Sequence, residues 1–160
     1  MRAVTTVLGI GHLRPAPGTW ASAAALVVGV VVDRYLGAPG LVITTALVTW
    51  LGFIACARTL LPGQDPSEVV IDEVAGQWLT LLFPSLAFFA NGHDGWLPWP
   101  AYVSAFVFFR LFDIWKPWLV GRADRRHDPA GVMLDDLWAG LFAGICVIIT
   151  GVLYHVIFIF

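Results

Sequence analysis

Residues 134–160 read LDDLWAGLFAGICVIITGVLYHVIFIF. Two carboxylates, Asp135 and Asp136, are followed from Leu137 to Phe160 by a run with no Asp, Glu, Lys or Arg. About 20 apolar residues carry a helix across ~30 Å of hydrocarbon. The run therefore predicts a membrane-spanning helix with a pair of acids at its mouth. The rest of the chain has the same character: 59% of its 160 residues are hydrophobic and 12% charged, against about 25% charged in soluble domains. A soluble fold of this length buries too small a fraction of its surface to hide so much apolar side chain. This excludes a disordered chain, a coiled coil, a basic nucleic-acid binder and most soluble enzymes. The formal net charge of −2 implies no attraction to polyanions, so no nucleic-acid partner is expected. Cys56 and Cys146 lie in apolar runs and read as small hydrophobes, neither a disulfide framework nor a zinc site.

Working back from the last run, four more stretches qualify as spans: about Thr19 to Leu36, Pro39 to Leu61, Ile71 to Ala90 and Pro98 to Trp115. The fold expected is an all-α, polytopic membrane bundle of about five helices, one domain over residues 1–160. Met1 to Arg14 has some look of a secretory leader, with Ala21-Ser22-Ala23 as a cleavage site. Thr5, Thr6, Gly9, Gly11 and His12 interrupt its apolar stretch, so cleavage is not expected.

Five crossings put the N-terminus and the 61–71 and 116–136 loops on one side. Arg2, Arg14, Arg58, Arg110, Lys116, Arg122, Arg125 and Arg126 fall on or near that side and Arg34 alone on the other, which makes the first side cytoplasmic. Most tryptophans fall at the two expected interfaces, and only Trp50 lands in mid-span.

Asp65, Glu68, Asp72, Glu73, Asp113, Asp124, Asp128, Asp135 and Asp136 crowd the same side, leaving Asp33 and Asp94 on the other. Cation sorting does not explain this, because it acts on Lys and Arg. Ile71-Asp72-Glu73-Val74-Ala75-Gly76 opens the third stretch, and Leu134-Asp135-Asp136-Leu137-Trp138-Ala139-Gly140 opens the fifth in nearly the same pattern. Each ends in a small pair that lets another helix approach closely. At the end of the fourth stretch Arg110, Asp113 and Lys116 recur at i, i+3, i+6 and are expected on one helical face. Carboxylates brought to one boundary make an oxygen site for a hard cation. Magnesium suits it, since it takes carboxylates together with substrate phosphate and water. The plainer alternatives are acids that simply favour helix N-termini and an Arg110–Asp113 pair that neutralises itself.

The segment Gly9 to Trp20 (GIGHLRPAPGTW) is too rich in glycine and proline for a regular helix, and Thr19 reads as the N-cap of the first span. Free N–H groups there, beside Arg14, suit a phosphate, although Pro-Gly-Thr is equally an ordinary turn and cap. His12 reads as an interfacial histidine and His127 as a loop residue.

Four segments in order resemble the phosphatidylglycerophosphatase A family of bacterial membrane lipid phosphatases. They are Gly9 to Thr19 (GIGHLRPAPGT), Ile71 to Trp78 (IDEVAGQW), Phe109 to Trp118 (FRLFDIWKPW) and Val132 to Gly140 (VMLDDLWAG). The likeness covers about residues 8 to 146. Two departures stand out: Ala21 where the family often has glycine, and Arg126-His127-Asp128-Pro129-Ala130-Gly131 in place of a Gly-Gly-x-Gly run. The resemblance implies Mg²⁺-dependent removal of the terminal phosphate of phosphatidylglycerophosphate, a phospholipid substrate, in bacterial phospholipid synthesis. The enzyme would sit in the bacterial cytoplasmic (inner) membrane with its site at the cytoplasmic boundary.

On that reading Asp72, Glu73, Asp135 and Asp136 hold one or two Mg²⁺ ions and Asp113 is a further ligand or orients one. Arg14, Thr19, Arg110 and Lys116 are expected to bind the substrate phosphates. Marks of other phosphatase chemistries are absent: no Cys is followed six residues later by Arg, and no Asp-x-Asp occurs. A small membrane transporter or ion-binding protein that uses the acids as a coupling site is the alternative. Transporters, however, place such groups near the midplane. A lipid phosphotransferase would need a longer spaced-Asp motif.

Overall fold

The computed structural model describes residues 1–61, 63–64, 66–93 and 95–158. Asp65, Asp94 and the Phe160 end of the last expected span lie outside the described residues. The chain is helical throughout, with no strand among the described residues. The elements are α1 (Arg2–Thr5), a 3₁₀ segment (Val7–His12), α2 (Pro17–Thr59), α3 (Ile71–Ala90), α4 (Trp99–Trp115), α5 (Trp118–Asp124) and α6 (Pro129–Phe158). Of these, α2, α3 and α6 are long and apolar enough to cross a membrane.

The first two expected stretches form one element, α2, interrupted at Gly37 with φ +66° and ψ −178°. Only glycine adopts that conformation without cost, and Pro39 two residues on cannot donate to the helix it interrupts. Drawn straight, 43 residues would run about 65 Å. The packing shows a reversal instead. Along residues 17–36, Gly18 meets Glu73, Gly29 meets Trp78 and Leu81, the Ala25 carbonyl accepts Trp78 Nε1–H at 2.7 Å, and Asp33 accepts the Ser85 hydroxyl. This arm runs parallel to α3. Along residues 38–59 the order inverts: Ala38 lines a cavity with Ser85 and Phe89, while Gly52 lies against Ile71. Both ends of α2 thus return to the N-terminal end of α3.

Two boundaries differ from the sequence reading. Helix α6 starts at Pro129, eight residues before Leu137. Asp128 Oδ1 accepts the Gly131 N–H at 2.6 Å, an aspartate cap followed by proline at the first helical position. Asp135 and Asp136 therefore lie about two turns inside α6 rather than at its opening. Thr19 is not a cap either, because α2 begins at Pro17 with Ala16 before it. The short α5 in the 116–136 loop, unanticipated from sequence, buries Val120 and Ala123 and sets Trp118 edge-on to Phe142.

Small residues stand at the closest helix contacts. Gly76 and Gly140 stand where α3 crosses α6; a methyl on Gly140 would come 2.4 Å from the Gly76 carbonyl oxygen, and one on Gly76 2.6 Å from that of Asp136. The Thr80 hydroxyl lies 2.9 Å from the Gly76 carbonyl and 3.2 Å from that of Gly140. Large apolar side chains face outward along the helices, among them Val27, Ile43, Leu47, Val107 and Ile149. An apolar exterior with small residues at the helix crossings is the pattern of helices packed in lipid, where close backbone approach replaces the hydrophobic effect.

The N-terminal segment and the 60–70 and 116–136 loops gather at one end. The Val70 N–H donates to the Thr5 carbonyl at 2.8 Å and the Gly63 N–H to that of His127 at 2.8 Å. Gly11 lies so close to the Glu68 carbonyl that a methyl would sit 1.9 Å from its oxygen. Arg34, over the Trp96 ring at 5.8 Å, marks the other end. Gly140→Ala is expected to cost about 1–3 kcal/mol of stability, seen as a lower thermal unfolding midpoint in detergent. Gly151→Ala, with open space around it, should change stability by no more than about 1 kcal/mol, in the stabilising direction.

Candidate functional site

A cavity of about 350 Å³ opens at the end where the loops gather, lined by Gly18, Thr19, Ser67, Asp72, Glu73, Arg110, Asp113, Lys116, Asp135 and Asp136 among others. Every acid singled out from sequence as a candidate site residue is in that wall. Asp72 and Glu73 come from the first turn of α3, Asp135 and Asp136 from the second turn of α6, and Arg110 and Asp113 from the last turns of α4. The glycine crossing of α3 and α6 lies one turn deeper and sets how closely the two acidic pairs approach.

Three of the carboxylates form one group. Asp72, Glu73 and Asp136 each present an oxygen within 4.8 Å of the other two. Asp72 and Asp136 are buried, at 9% and 3% exposure, and Glu73 Oε2 is buried with no hydrogen-bond partner. Three carboxylates this close repel one another unless a proton or cation lies between them, and burial raises the cost of leaving them bare. An unpartnered carboxylate oxygen among three oxygen donors is the ligand set a hard divalent cation takes.

Asp135 is held apart from this group. Its Oδ2 accepts Lys116 Nζ at 2.8 Å and its Oδ1 accepts the Asp136 N–H at 2.9 Å. Lys116 also pairs with Asp124. Lys116 does not continue the face of Arg110 and Asp113, as its spacing suggested. It ends α4 in the left-handed conformation, φ 50° and ψ 52°, which swings its side chain toward α5 and α6. Partial burial opposes its charge, but hydrogen bonds to Asp124 and Asp135 outweigh burial and hold its pKa above the ordinary lysine value. Because the folded value is the higher one, this tie is fully present at neutral pH and is lost only as pH rises through it.

Arg110 pairs with Asp113 and donates from Nη1 to Ser22 Oγ at 3.3 Å, while its buried Nε has no partner. Ser22 Oγ in turn donates to the Gly18 carbonyl at 2.7 Å. A methyl on Gly18 would fall 2.2 Å from Glu73 Oε1 and 3.3 Å from Arg110 Nη1. The missing side chain at 18 thus leaves room for both the Glu73 carboxylate and the Arg110 guanidinium beside it. Sequence reading quoted Gly18 within a motif but gave it no part, and it missed Ser22 and Asp124, whose partners lie 88 and 8 residues away. Arg14, expected to bind phosphate, is exposed and does not line the cavity. His12 faces Glu68 at 3.7 Å, both largely exposed.

The chain matches the family model described as phosphatidylglycerophosphatase A over residues 3–151. It is 35% identical to a phosphatidylglycerophosphatase A of Haemophilus influenzae, over 87% of this chain and 81% of that one. It is also 35% identical to a phosphatidylglycerophosphatase A of Escherichia coli, over 66% of this chain and 54% of that one. A Bacteroides thetaiotaomicron protein provisionally named phosphatidylinositol-3-phosphatase is 33% identical, over 92% of this chain and 91% of that one. No solved structure gives a significant match.

Gly18→Ala displaces the flexible end of Glu73 rather than backbone. The unfolding midpoint should therefore change little, while, if the carboxylate group takes a divalent cation, the concentration for half-saturation should rise at least about tenfold, the size of effect that follows from disturbing the surroundings of such a ligand. Lys116→Met strands Asp135, whose exposure is 6%, and should cost about 1–3 kcal/mol. The double variant Lys116→Met/Asp135→Asn should recover much of that in a thermal-unfolding cycle.

Proposed function

The chain belongs to the phosphatidylglycerophosphatase A family, which makes it a phosphatase, and we propose that it hydrolyses the terminal phosphate of phosphatidylglycerophosphate with the help of Mg²⁺. The products are phosphatidylglycerol and inorganic phosphate. The observation that carries the reading is the three-carboxylate group of Asp72, Glu73 and Asp136 in one cavity with Arg110 and Lys116. Anionic ligands for a cation and fixed cations for a phosphate face the same space.

The membrane setting completes the proposal. The arms of α2 together with α3, α4 and α6 make five crossings in a bacterial cytoplasmic membrane, as one domain. The cavity lies at the cytoplasmic side, where eight of nine Lys and Arg residues fall. The lipid's tails stay among the outward apolar side chains while its doubly phosphorylated head enters from the boundary.

Asp72, Glu73 and Asp136 would hold the cation, and when bound it would supply Lewis-acid polarisation of a phosphate and a better water nucleophile. Arg110, kept in place by Asp113 and Ser22, faces the phosphate with a guanidinium that still has an N–H to give. Lys116, anchored by Asp124 and Asp135, balances the charge that gathers on phosphate oxygens as the P–O bond to the lipid breaks. Thr19 lines the cavity wall and Arg14 is left outside it, so Thr19 takes the larger share of substrate contact in this reading.

The test is phosphate release by the purified protein in detergent. Phosphatidylglycerophosphate should be cleaved with Mg²⁺ and spared with EDTA. Asp72→Asn and Asp136→Asn should each lose more than about a hundredfold in kcat/KM, roughly 3 kcal/mol, while remaining folded. Phosphatidic acid and phosphatidylinositol 3-phosphate serve as competing substrates, the second because of the name of the Bacteroides relative. Release indifferent to EDTA, or near-normal turnover by either variant, would overturn the cation assignment.

A further inference from the structure

Among the described residues, the buried side-chain polar atoms without a hydrogen-bond partner belong to three residues, Glu73, Arg110 and Gln77. The first two line the cavity. Gln77 does not line it. It lies one turn further along α3, has no exposed surface, and leaves both Nε2 and Oε1 unsatisfied. A buried carboxamide in that state is destabilising, and an apolar side chain of the same shape would remove the penalty.

Two polar side chains close to it in the sequence of α3 are engaged elsewhere. The Thr80 hydroxyl is engaged with the Gly76 and Gly140 carbonyls, and Trp78 Nε1 is engaged with Ala25. What stands on the same helical face is Glu73, four residues back, and a pair at that spacing has Cβ atoms about 5–6 Å apart. Glu73 carries the other buried orphan on α3, its Oε2. An unpaired donor thus stands one turn below an unpaired acceptor, beneath the carboxylate group.

We propose that Gln77 is a positioning residue for the cation site: its amide Nε2 donates to Glu73 Oε2 once a divalent cation is held by Glu73 together with Asp72 and Asp136. This rests on the cation reading of the site given above. Ligating carboxylates are commonly oriented by a hydrogen bond from behind, and loss of such a partner lowers metal affinity about 10–100-fold.

Gln77→Met keeps length and volume and removes the amide; Gln77→Leu is a second apolar replacement. Each is compared with the unaltered protein by thermal unfolding in detergent, in EDTA and across a MgCl₂ titration, alongside phosphate release. In EDTA the variants should unfold at or above the wild-type midpoint. Their Mg²⁺-induced rise in midpoint should need at least about tenfold more Mg²⁺, and activity should show the same displacement with KM for the lipid unchanged at saturating Mg²⁺. A variant with the wild-type Mg²⁺ dependence overturns the proposal. So does one less stable than wild type in EDTA, or failure of both to fold, since the amide would then serve the fold itself. Absence of any Mg²⁺-induced shift in the wild-type protein overturns the cation reading and this inference with it.

Discussion

The contact on which the rest depends is the crossing of α3 and α6 at Gly76 and Gly140, where each backbone lies against the other with no side chain between. In an apolar surrounding, helices gain little from hiding hydrophobic surface and hold together through close packing and shared hydrogen bonds. The Thr80 hydroxyl between two glycine carbonyls supplies the second of these at the same spot. A turn away toward the loops, the same closeness brings Asp136 to Asp72 and Glu73. Any side chain at the crossing would widen the gap, and the gap sets the carboxylate spacing.

Fixed charge of both signs is arranged around that point with little redundancy. Arg110 is held by Asp113 and Ser22, Lys116 by Asp124 and Asp135, and the three remaining carboxylates have no cation of the chain as a hydrogen-bond partner. Three acids and a serine are thus divided between restraining two bases, while a separate group of acids is left without such a partner. The division depends on the left-handed turn at Lys116, which takes that side chain off the face of α4 and across to α6.

Much of this was legible in the sequence because the signals are local. The bounds of α3 follow from an apolar run with acids at its start, and α4 follows within a residue of its expected start. The return of the chain between Leu36 and Pro39 follows from Gly37 and Pro39. The site acids announced themselves as charge in apolar surroundings, where it is costly enough to need a reason. What was not legible is what depends on distant partners. The pairing of Ser22 with Arg110 spans 88 residues, and the role of Gly18 is an absence that has meaning only once Glu73 is beside it. Helix α6 began earlier than expected because an Asp-Pro cap was outweighed by the more conspicuous apolar run beyond it. Arg14 looked like a phosphate ligand by proximity to the α2 start, and its position outside the cavity reflects the course of the loop rather than any property of arginine.

The belt of outward valines, isoleucines and leucines has a kinetic consequence. A protein wrapped in such a surface diffuses in a film rather than in a volume, and it meets an amphiphile by collision within that film. Velocity then follows the mole fraction of the amphiphile in the sheet and not the quantity per litre. Diluting the sheet with inert lipid slows encounter even when the total in the tube is constant.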